Sequence, residues 1–151
     1  MVSRSGPTSS FGHVLPPSGL ACASIVAALD AMKDEGICDN AARIGDEVLG
    51  PGLRELADRH PVIGEVRGLG VFWALDLVSN RSTRAMLAPY GGSSPAMNEI
   101  TAQCRVRGLM PFLNYNRVHA VPPCTVSEAE AKEGLAILDE VFTMVDRHYE
   151  G

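Results

Sequence analysis

The sequence has 151 residues, of which 46% are hydrophobic and 21% charged, with a formal net charge of −5. A chain of this length buries roughly 68–70% of the surface that its unfolded form exposes, so it can support one hydrophobic core. The acidic balance excludes nucleic acid as the expected partner, and no apolar run reaches the ~20 residues that cross a membrane.

The N-terminal segment, residues 1–17, is rich in Ser, Gly, Pro and Thr. Such a composition predicts a flexible leader, with a folded domain over residues 18–151. A helix is expected from Leu20 to Met32, ended by Gly36. This helix is apolar on most sides, which predicts deep burial or contact with a second body.

A second helix is predicted from Asp39, a good N-cap residue, to Arg59. Its apolar residues follow helical spacing: Ala41, Ile44, Val48, Leu53 and Leu56. The Gly-Pro-Gly sequence at 50–52 predicts a kink or a break, because proline removes a donor and clashes with the preceding turn.

Residues 66–78 are rich in Val, Leu, Phe and Trp and predict one strand that is covered on both faces. The polar stretch 79–94 predicts a long loop. Ser94 followed by Pro95 predicts a helix start, and that helix is expected to run to about Arg107 and to end at Gly108.

Two short apolar runs, 109–113 and 117–121, predict an antiparallel hairpin with its turn at 114–116. Ser127 and Glu130 form a capping box that opens a strongly amphipathic C-terminal helix. The order of elements predicts an α+β fold in which helices pack on a small, mainly antiparallel sheet.

Several motifs fail the tests for a specific chemistry. Gly68-Leu69-Gly70 precedes a strand, whereas a dinucleotide fingerprint follows one. The four cysteines are far apart and predict buried, reduced thiols and a cytoplasmic protein. The four histidines show no spacing typical of metal ligands, so no metal site is predicted.

Arg117 and His119 are the candidate substrate-binding residues. They lie two positions apart on a predicted strand, so both side chains leave the same face and could contact an anion together. The alternative is a solvated pair at a strand edge, or a pair bonded to the helix near Ser127.

Three segments, in order, resemble the last third of the class III, fold type I, aminotransferases. Residues 18–23 resemble the family's Ser-Gly-His-Pro-Leu-Ala-Cys-Ala stretch, and residues 64–76 resemble its Val-Arg-Gly-Leu-Gly strand. Residues 117–125 with the capped helix resemble its Arg-x-x-Pro-Pro-Leu-Thr ending. The resemblance as a whole extends from about Phe11 to the C-terminus, over roughly nine tenths of the chain.

The resemblance implies pyridoxal phosphate chemistry in the full-length family. This sequence departs from the family's pattern at two places. Pro16 or Val14 falls where the family has a threonine that contacts the cofactor phosphate. His119 falls where several members have an arginine that binds the substrate carboxylate, with Arg117 displaced by two positions. Substrate preference therefore cannot be carried over, and the cofactor-binding residues of this chain stay unknown.

The resemblance also implies a Schiff-base lysine, and the sequence has only Lys33 and Lys132. Both lie beside carboxylates and should stay protonated on a solvated face. We therefore predict the C-terminal small domain of an aminotransferase, inactive and without bound cofactor when alone. Its expected partner is a second copy of the chain or a missing large domain. A stand-alone binding or assembly module and one half of a split aminotransferase remain as alternatives.

Overall fold

The computed structural model describes residues 18–151, which form two compact units, one ending at Glu35 and the other spanning Gly36–Gly151. The predicted leader and the Val14 and Pro16 positions lie outside the described residues. The placement of a single domain boundary at residue 18 stays a prediction.

The first unit contains one helix, α1 (Gly19–Asp34), as the sequence predicts. Its N-cap is Ser18, whose hydroxyl accepts a hydrogen bond from the Ala21 amide at 3.2 Å. None of the helix residues is buried, and its exposed large apolar side chains are Leu20, Ile25, Val26, Leu29 and Met32. The burial that the composition predicts for this helix is therefore not found within its own unit.

The second unit opens with α2 (Ile37–Ile44), a π-helical turn (Gly45–Leu49) and α3 (Gly50–Arg59). The predicted N-cap at Asp39 is wrong, because the helix starts at Ile37 and Asp39 lies in the first turn, where its charge suits the helix dipole. The expected break at 50–52 is also displaced. The irregular turn comes before Pro51, and its wider i→i+5 bonding, seen from the Gly50 amide to the Gly45 carbonyl, accommodates the proline ring.

Residues 66–78 form two strands instead of the predicted single strand. These are β1 (Ile63–Leu69) and β2 (Phe72–Asn80), which pair antiparallel across a tight turn at Gly70-Val71. Gly70 has φ +54°, a backbone conformation that glycine adopts without steric cost. The continuous apolar run hides this turn because the residues on both sides of it are strand formers.

The rest of the sheet follows the predicted order. A loop carries the short β3 (Ala85–Met86) and leads to α4 (Pro95–Val106). The predicted hairpin is present as β4 (Phe112–Asn114) and β5 (Arg117–Ala120). The main strands are arranged in the order β1-β2-β5-β4 with antiparallel pairing throughout, and β3 pairs with β2. The α+β fold class is confirmed.

The last long helix, α5 (Glu128–Val145), begins at the predicted capping box. The Ser127 hydroxyl accepts a hydrogen bond from the Glu130 amide, and the Glu130 carboxylate accepts one from the Ser127 amide at 2.9 Å. The predicted apolar face of α5 packs in the core with the inner face of the sheet. The largest fully buried side chains include Phe142, Ile44, Leu53, Leu56, Leu75, Leu77, Ile100 and Val118.

Close packing around the β1–β2 turn leaves no room for a side chain at Gly68 or at Gly45. The Trp73 ring lies against Gly68, and its indole N–H donates to the Gly70 carbonyl at 2.6 Å. A Cβ atom at Gly45 would overlap the Gly70 backbone. The Gly-Leu-Gly sequence thus serves helix–sheet packing.

The prediction of buried cysteines is wrong for three of the four, all of which are described. Only Cys104 on α4 is buried, and burial raises the pKa of its thiol to about 11. Cys22, Cys38 and Cys124 are exposed, because the segments that carry them lie at the surface. Across residues 18–151, no helix has the length and apolar character needed to cross a membrane. The cytoplasmic location stays a prediction.

Candidate functional site

The two predicted site residues lie on the outer face of the sheet. Val118, between them on β5, is fully buried and faces the core, so Arg117 and His119 both point away from it. In the register of β2 and β5, Arg117 is opposite Asp76 and His119 is opposite Ala74. The other neighbour of His119 is Phe112 on β4.

Arg117 makes an ion pair on this face. Its Nε lies 3.3 Å from Asp76 Oδ1, and Arg67 on β1 donates from Nη2 to Asp76 Oδ2 at 2.5 Å. Asp76 is largely shielded from solvent and lies between two guanidinium groups, one from each neighbouring strand. The charge of Arg117 is therefore partly balanced within the sheet and not wholly available to an external anion.

His119 lies between two aromatic rings. The Phe112 ring centroid is 5.3 Å from that of the imidazole, and the Phe72 centroid is 6.3 Å away in an edge-on arrangement. The His119 Nε2 atom is buried and has no hydrogen-bond partner among the residues that the structure describes. A buried polar atom without a partner costs free energy, so a hydrogen-bond partner for Nε2 would stabilise this position.

An apolar cavity of about 230 Å³ lies beside the C-terminal end of β5 and the residues that follow it. The N-terminal half of α5 forms one wall, and the segment that precedes β4 forms the other. Residues that line it include Leu109, Phe112, His119, Val121, Ala131 and Leu135. The cavity can accept an apolar group beside His119, and its one carboxylate, Glu130, is already engaged in the capping box.

A second polar cluster, which the sequence analysis missed, surrounds His60. This side chain is buried, and its two ring nitrogens each lie 2.7 Å from a carboxylate oxygen, one of Asp139 and one of Asp146. The hydrogen bond from His60 is the main cause that holds the pKa of Asp139 below its usual range, with Arg59 adding to it. No sequence signal joins these residues, which are about 80 positions apart.

The described residues do not offer a site for covalent attachment of pyridoxal phosphate. Lys132 on α5 is exposed and donates from Nζ to Glu128 Oε1 at 2.6 Å, a hydrogen bond that lowers the pKa of Glu128. Lys33 is exposed in the last turn of α1. An attachment lysine must be desolvated or lie beside another cation to act as a nucleophile at neutral pH, and neither lysine meets that condition.

Residues 18–151 also contain no group of three His, Cys, Asp or Glu side chains arranged to hold a metal ion. The His60 cluster is already saturated by contacts among its own members, apart from one oxygen of Asp146. The candidate site is therefore the outer sheet face around His119, with the adjacent cavity.

The sequence profile described as "Aminotransferase class-III" matches residues 5–142, which is most of the chain. The chain belongs to the class III aminotransferase family. The family that the three sequence segments predict is therefore confirmed.

Individual curated relatives match the chain over most of its length. A 5-aminovalerate aminotransferase from Pseudomonas aeruginosa is 33% identical over 135 residues, which are 87% of this chain and 30% of that protein. An ethanolamine-phosphate phospho-lyase homolog from Caenorhabditis elegans is 30% identical over 133 residues, which are 85% of this chain and 27% of that protein. The chain spans less than a third of the length of these curated relatives.

Solved structures of aminotransferases share the fold. The taurine:2-oxoglutarate aminotransferase from Bifidobacterium kashiwanohense, determined in complex with pyridoxal phosphate and glutamate, superposes with a TM-score of 0.80 at 32% identity. The match covers 91% of this chain and 32% of that enzyme. An amine transaminase from an uncultivated Pseudomonas species superposes with a TM-score of 0.73 at 35% identity, over 82% of this chain and 27% of the other.

Proposed function

We propose that this chain is the C-terminal small domain of a pyridoxal phosphate-dependent class III aminotransferase, and that a large domain supplies the cofactor site. The observation that carries the proposal is the match to the taurine aminotransferase, which covers 91% of this chain but 32% of that enzyme. In this account the domain closes over the amine substrate and contributes side chains on its outer sheet face.

The surroundings of the two lysines support the proposal that a separate large domain holds the cofactor. In amino-group transfer the cofactor supplies the electron sink, while the protein supplies the attachment lysine and holds the phosphate and the ring. Lys132 is engaged by Glu128, and Lys33 lies on an exposed helix, so neither is prepared for attachment. The 151-residue chain alone should therefore bind no cofactor covalently and transfer no amino group.

Two apolar surfaces support the presence of a partner, and each lies in a different unit. On α1 the large apolar side chains from Leu20 to Met32 are exposed. On the outer sheet face Leu69, Phe72 and Phe112 are 82%, 62% and 66% exposed. Exposed apolar clusters of this kind mark interfaces in soluble proteins, so we assign both surfaces to contacts with a large domain or a second copy of the chain.

The substrate class that we propose is a primary amine with an anionic group at its other end. The support comes from the names of the relatives, which include 5-aminovalerate and 4-aminobutyrate aminotransferases and taurine–pyruvate aminotransferases. The buried, unpartnered Nε2 of His119 and the adjacent Arg117 are the groups of this chain suited to the anionic end. The cavity beside His119 would hold the methylene groups of such an amine.

The experiment is to isolate the natural polypeptide that contains this sequence, reduce it with borohydride and map the modified lysine. We expect a pyridoxyl group on a lysine other than Lys33 and Lys132, either in a longer chain or in a tightly bound second chain. The second of these results identifies a split aminotransferase. A natural polypeptide of 151 residues that binds no second chain and carries no pyridoxyl group would instead favour a non-catalytic module.

A further inference from the structure

His60 connects two distant parts of the fold through both of its ring nitrogens. It follows α3 directly and is 4% exposed. Its Nδ1 lies 2.7 Å from Asp146 Oδ2, and its Nε2 lies 2.7 Å from Asp139 Oδ1. The end of α3 is thereby joined to the last turns of α5 and to the turn Asp146–His148.

The two short contacts favour a ring that is protonated on both nitrogens. A carboxylate can only accept a hydrogen bond, and a neutral imidazole has a single N–H to donate. If the ring were neutral, the lone pair of one nitrogen would face a carboxylate oxygen at 2.7 Å, which is repulsive. While Asp139 and Asp146 are both ionised, only the imidazolium donates to both of them, so this arrangement favours the charged form.

The surrounding charges are balanced when His60 is charged. Arg59 on α3 donates from Nη1 to Asp139 Oδ2 at 2.8 Å, and Glu55 lies 3.9 Å from Arg59 at the exposed rim. From the loop after β2, Arg81 donates from Nη2 to the His60 carbonyl at 2.9 Å, which fixes the backbone without touching the ring. The α5 element adds Phe142, whose ring centroid is 5.8 Å from the imidazole.

Asp146 depends on His60 more than Asp139 does. Asp139 keeps Arg59 as a second partner, whereas the other oxygen of Asp146 is buried and has no hydrogen-bond partner among the described residues. Loss of the ring proton would therefore leave a largely buried carboxylate beside a nitrogen lone pair, and the turn that carries Asp146 would be the part released.

We propose that His60 is a proton-dependent lock that ties α3 to the C-terminal turn as an imidazolium and releases that turn when the ring loses its proton. The lock is independent of the proposed aminotransferase role, because none of its residues lies on the outer sheet face. It makes the attachment of the C-terminal turn sensitive to pH.

The sign of the effect follows from proton linkage. An exposed histidine in the unfolded chain loses its proton near pH 6.5, whereas the folded lock requires that proton. The free energy of unfolding should therefore fall as pH rises, until the folded ring is also neutral. One proton limits this loss to a tenfold change in the unfolding equilibrium constant per pH unit.

The direct test is nitrogen-detected NMR of the histidine ring in the 151-residue chain. At about pH 7 the lock requires both ring nitrogens of His60 to be protonated, and the amides of Asp146 and Tyr149 should shift with the same midpoint as the ring. A neutral ring with one N–H at that pH, or amides that do not follow the ring, would overturn the proposal.

A second test measures urea unfolding between about pH 6 and pH 9. His60→Gln should lose the alkaline decline in the midpoint that the unmodified chain shows. His148→Gln is the matched control, because His148 is more exposed and contacts a single carboxylate, that of Glu99. Equal alkaline slopes in the unmodified chain and His60→Gln would contradict the lock. If His60→Gln fails to fold, the ring spectra of the unmodified chain decide the question.

Discussion

Asp76 on β2 and Arg117 on β5 face each other across the sheet, with Arg117 Nε 3.3 Å from Asp76 Oδ1. This ion pair places a carboxylate beside one of the two residues proposed to contact the anionic end of the substrate. It therefore sets how much positive charge the outer sheet face offers.

Replacing Asp76 by asparagine should strengthen anion binding at this face. Asp76→Asn removes the charge that balances Arg117 and Arg67. An ion pair that solvent still reaches in part is worth about 1 kcal/mol, or roughly fivefold in affinity. Sulfate titration, followed by the amide resonances of β5, measures the effect. Glu65→Gln is the control, because Glu65 contacts Arg67 at 3.6 Å and makes no ion pair with Arg117. Unchanged sulfate affinity in Asp76→Asn would remove Arg117 from the candidate site.

Two glycines should respond to alanine in opposite directions. Gly45→Ala should destabilise the chain by about 1–3 kcal/mol, because the new methyl group would overlap the Gly70 backbone. Gly134→Ala on α5 should stabilise it by roughly 0.5–1 kcal/mol, because the nearest atom to its Cβ would be 3.8 Å away and alanine favours a helix. Urea unfolding measures the stability of both variants. Equal changes in the free energy of unfolding would contradict the close contact between Gly45 and the Gly70 backbone.

The acid side of the stability profile should depend on Asp139. Its pKa is lowered in the folded state, first by the hydrogen bond from His60 and then by Arg59. Such a carboxylate adds stability that is present above the pKa of an unfolded aspartate and is lost as pH falls through the folded pKa. Asp139→Asn should therefore flatten the loss of stability below about pH 4, whereas Asp58→Asn on the exposed face of α3 should not. Parallel acid unfolding curves for the two variants would refute this role.

The exposed apolar face of α1 should cause self-association in the isolated chain. At tens of micromolar we expect light scattering to report a dimer or a larger species. Burying the exposed apolar side chains of this helix against a second copy removes them from water, which lowers the free energy. Leu29→Lys should shift the distribution towards the monomer, whereas Ala27→Lys, with a small side chain replaced in the same helix, should not. A monomeric unmodified chain at that concentration would contradict the assignment of α1 to an interface.

Local signals in the sequence were sufficient for some elements. The Ser127–Glu130 capping box and the apolar stripe of α5 agree with each other, and both are confirmed. The helix start at Ser94-Pro95 rests on similar local chemistry and is also confirmed. These features depend on residues within one or two helical turns of each other, which is the range over which capping and periodicity act.

Other features depend on contacts that a linear pattern does not contain. The turn at Gly70 is hidden in an apolar run, and its position is set by packing of Trp73 and Gly45 against the Gly70 backbone. The pairing of Arg117 with Asp76 requires the register of β2 and β5. His60 meets two carboxylates that lie about 80 residues later in the chain. Long-range pairs of this kind are decided by tertiary packing.

The central claim is that this chain is one part of an aminotransferase and does not hold the cofactor by itself. The most direct measurement is to incubate the purified 151-residue chain with pyridoxal phosphate, reduce it with borohydride and map the lysines by mass spectrometry. We expect no stoichiometric adduct at a single lysine, because Lys132 is engaged by Glu128 and Lys33 is exposed to solvent. A stoichiometric pyridoxyl adduct at one of these lysines, accompanied by amino transfer to a keto acid, would contradict the account.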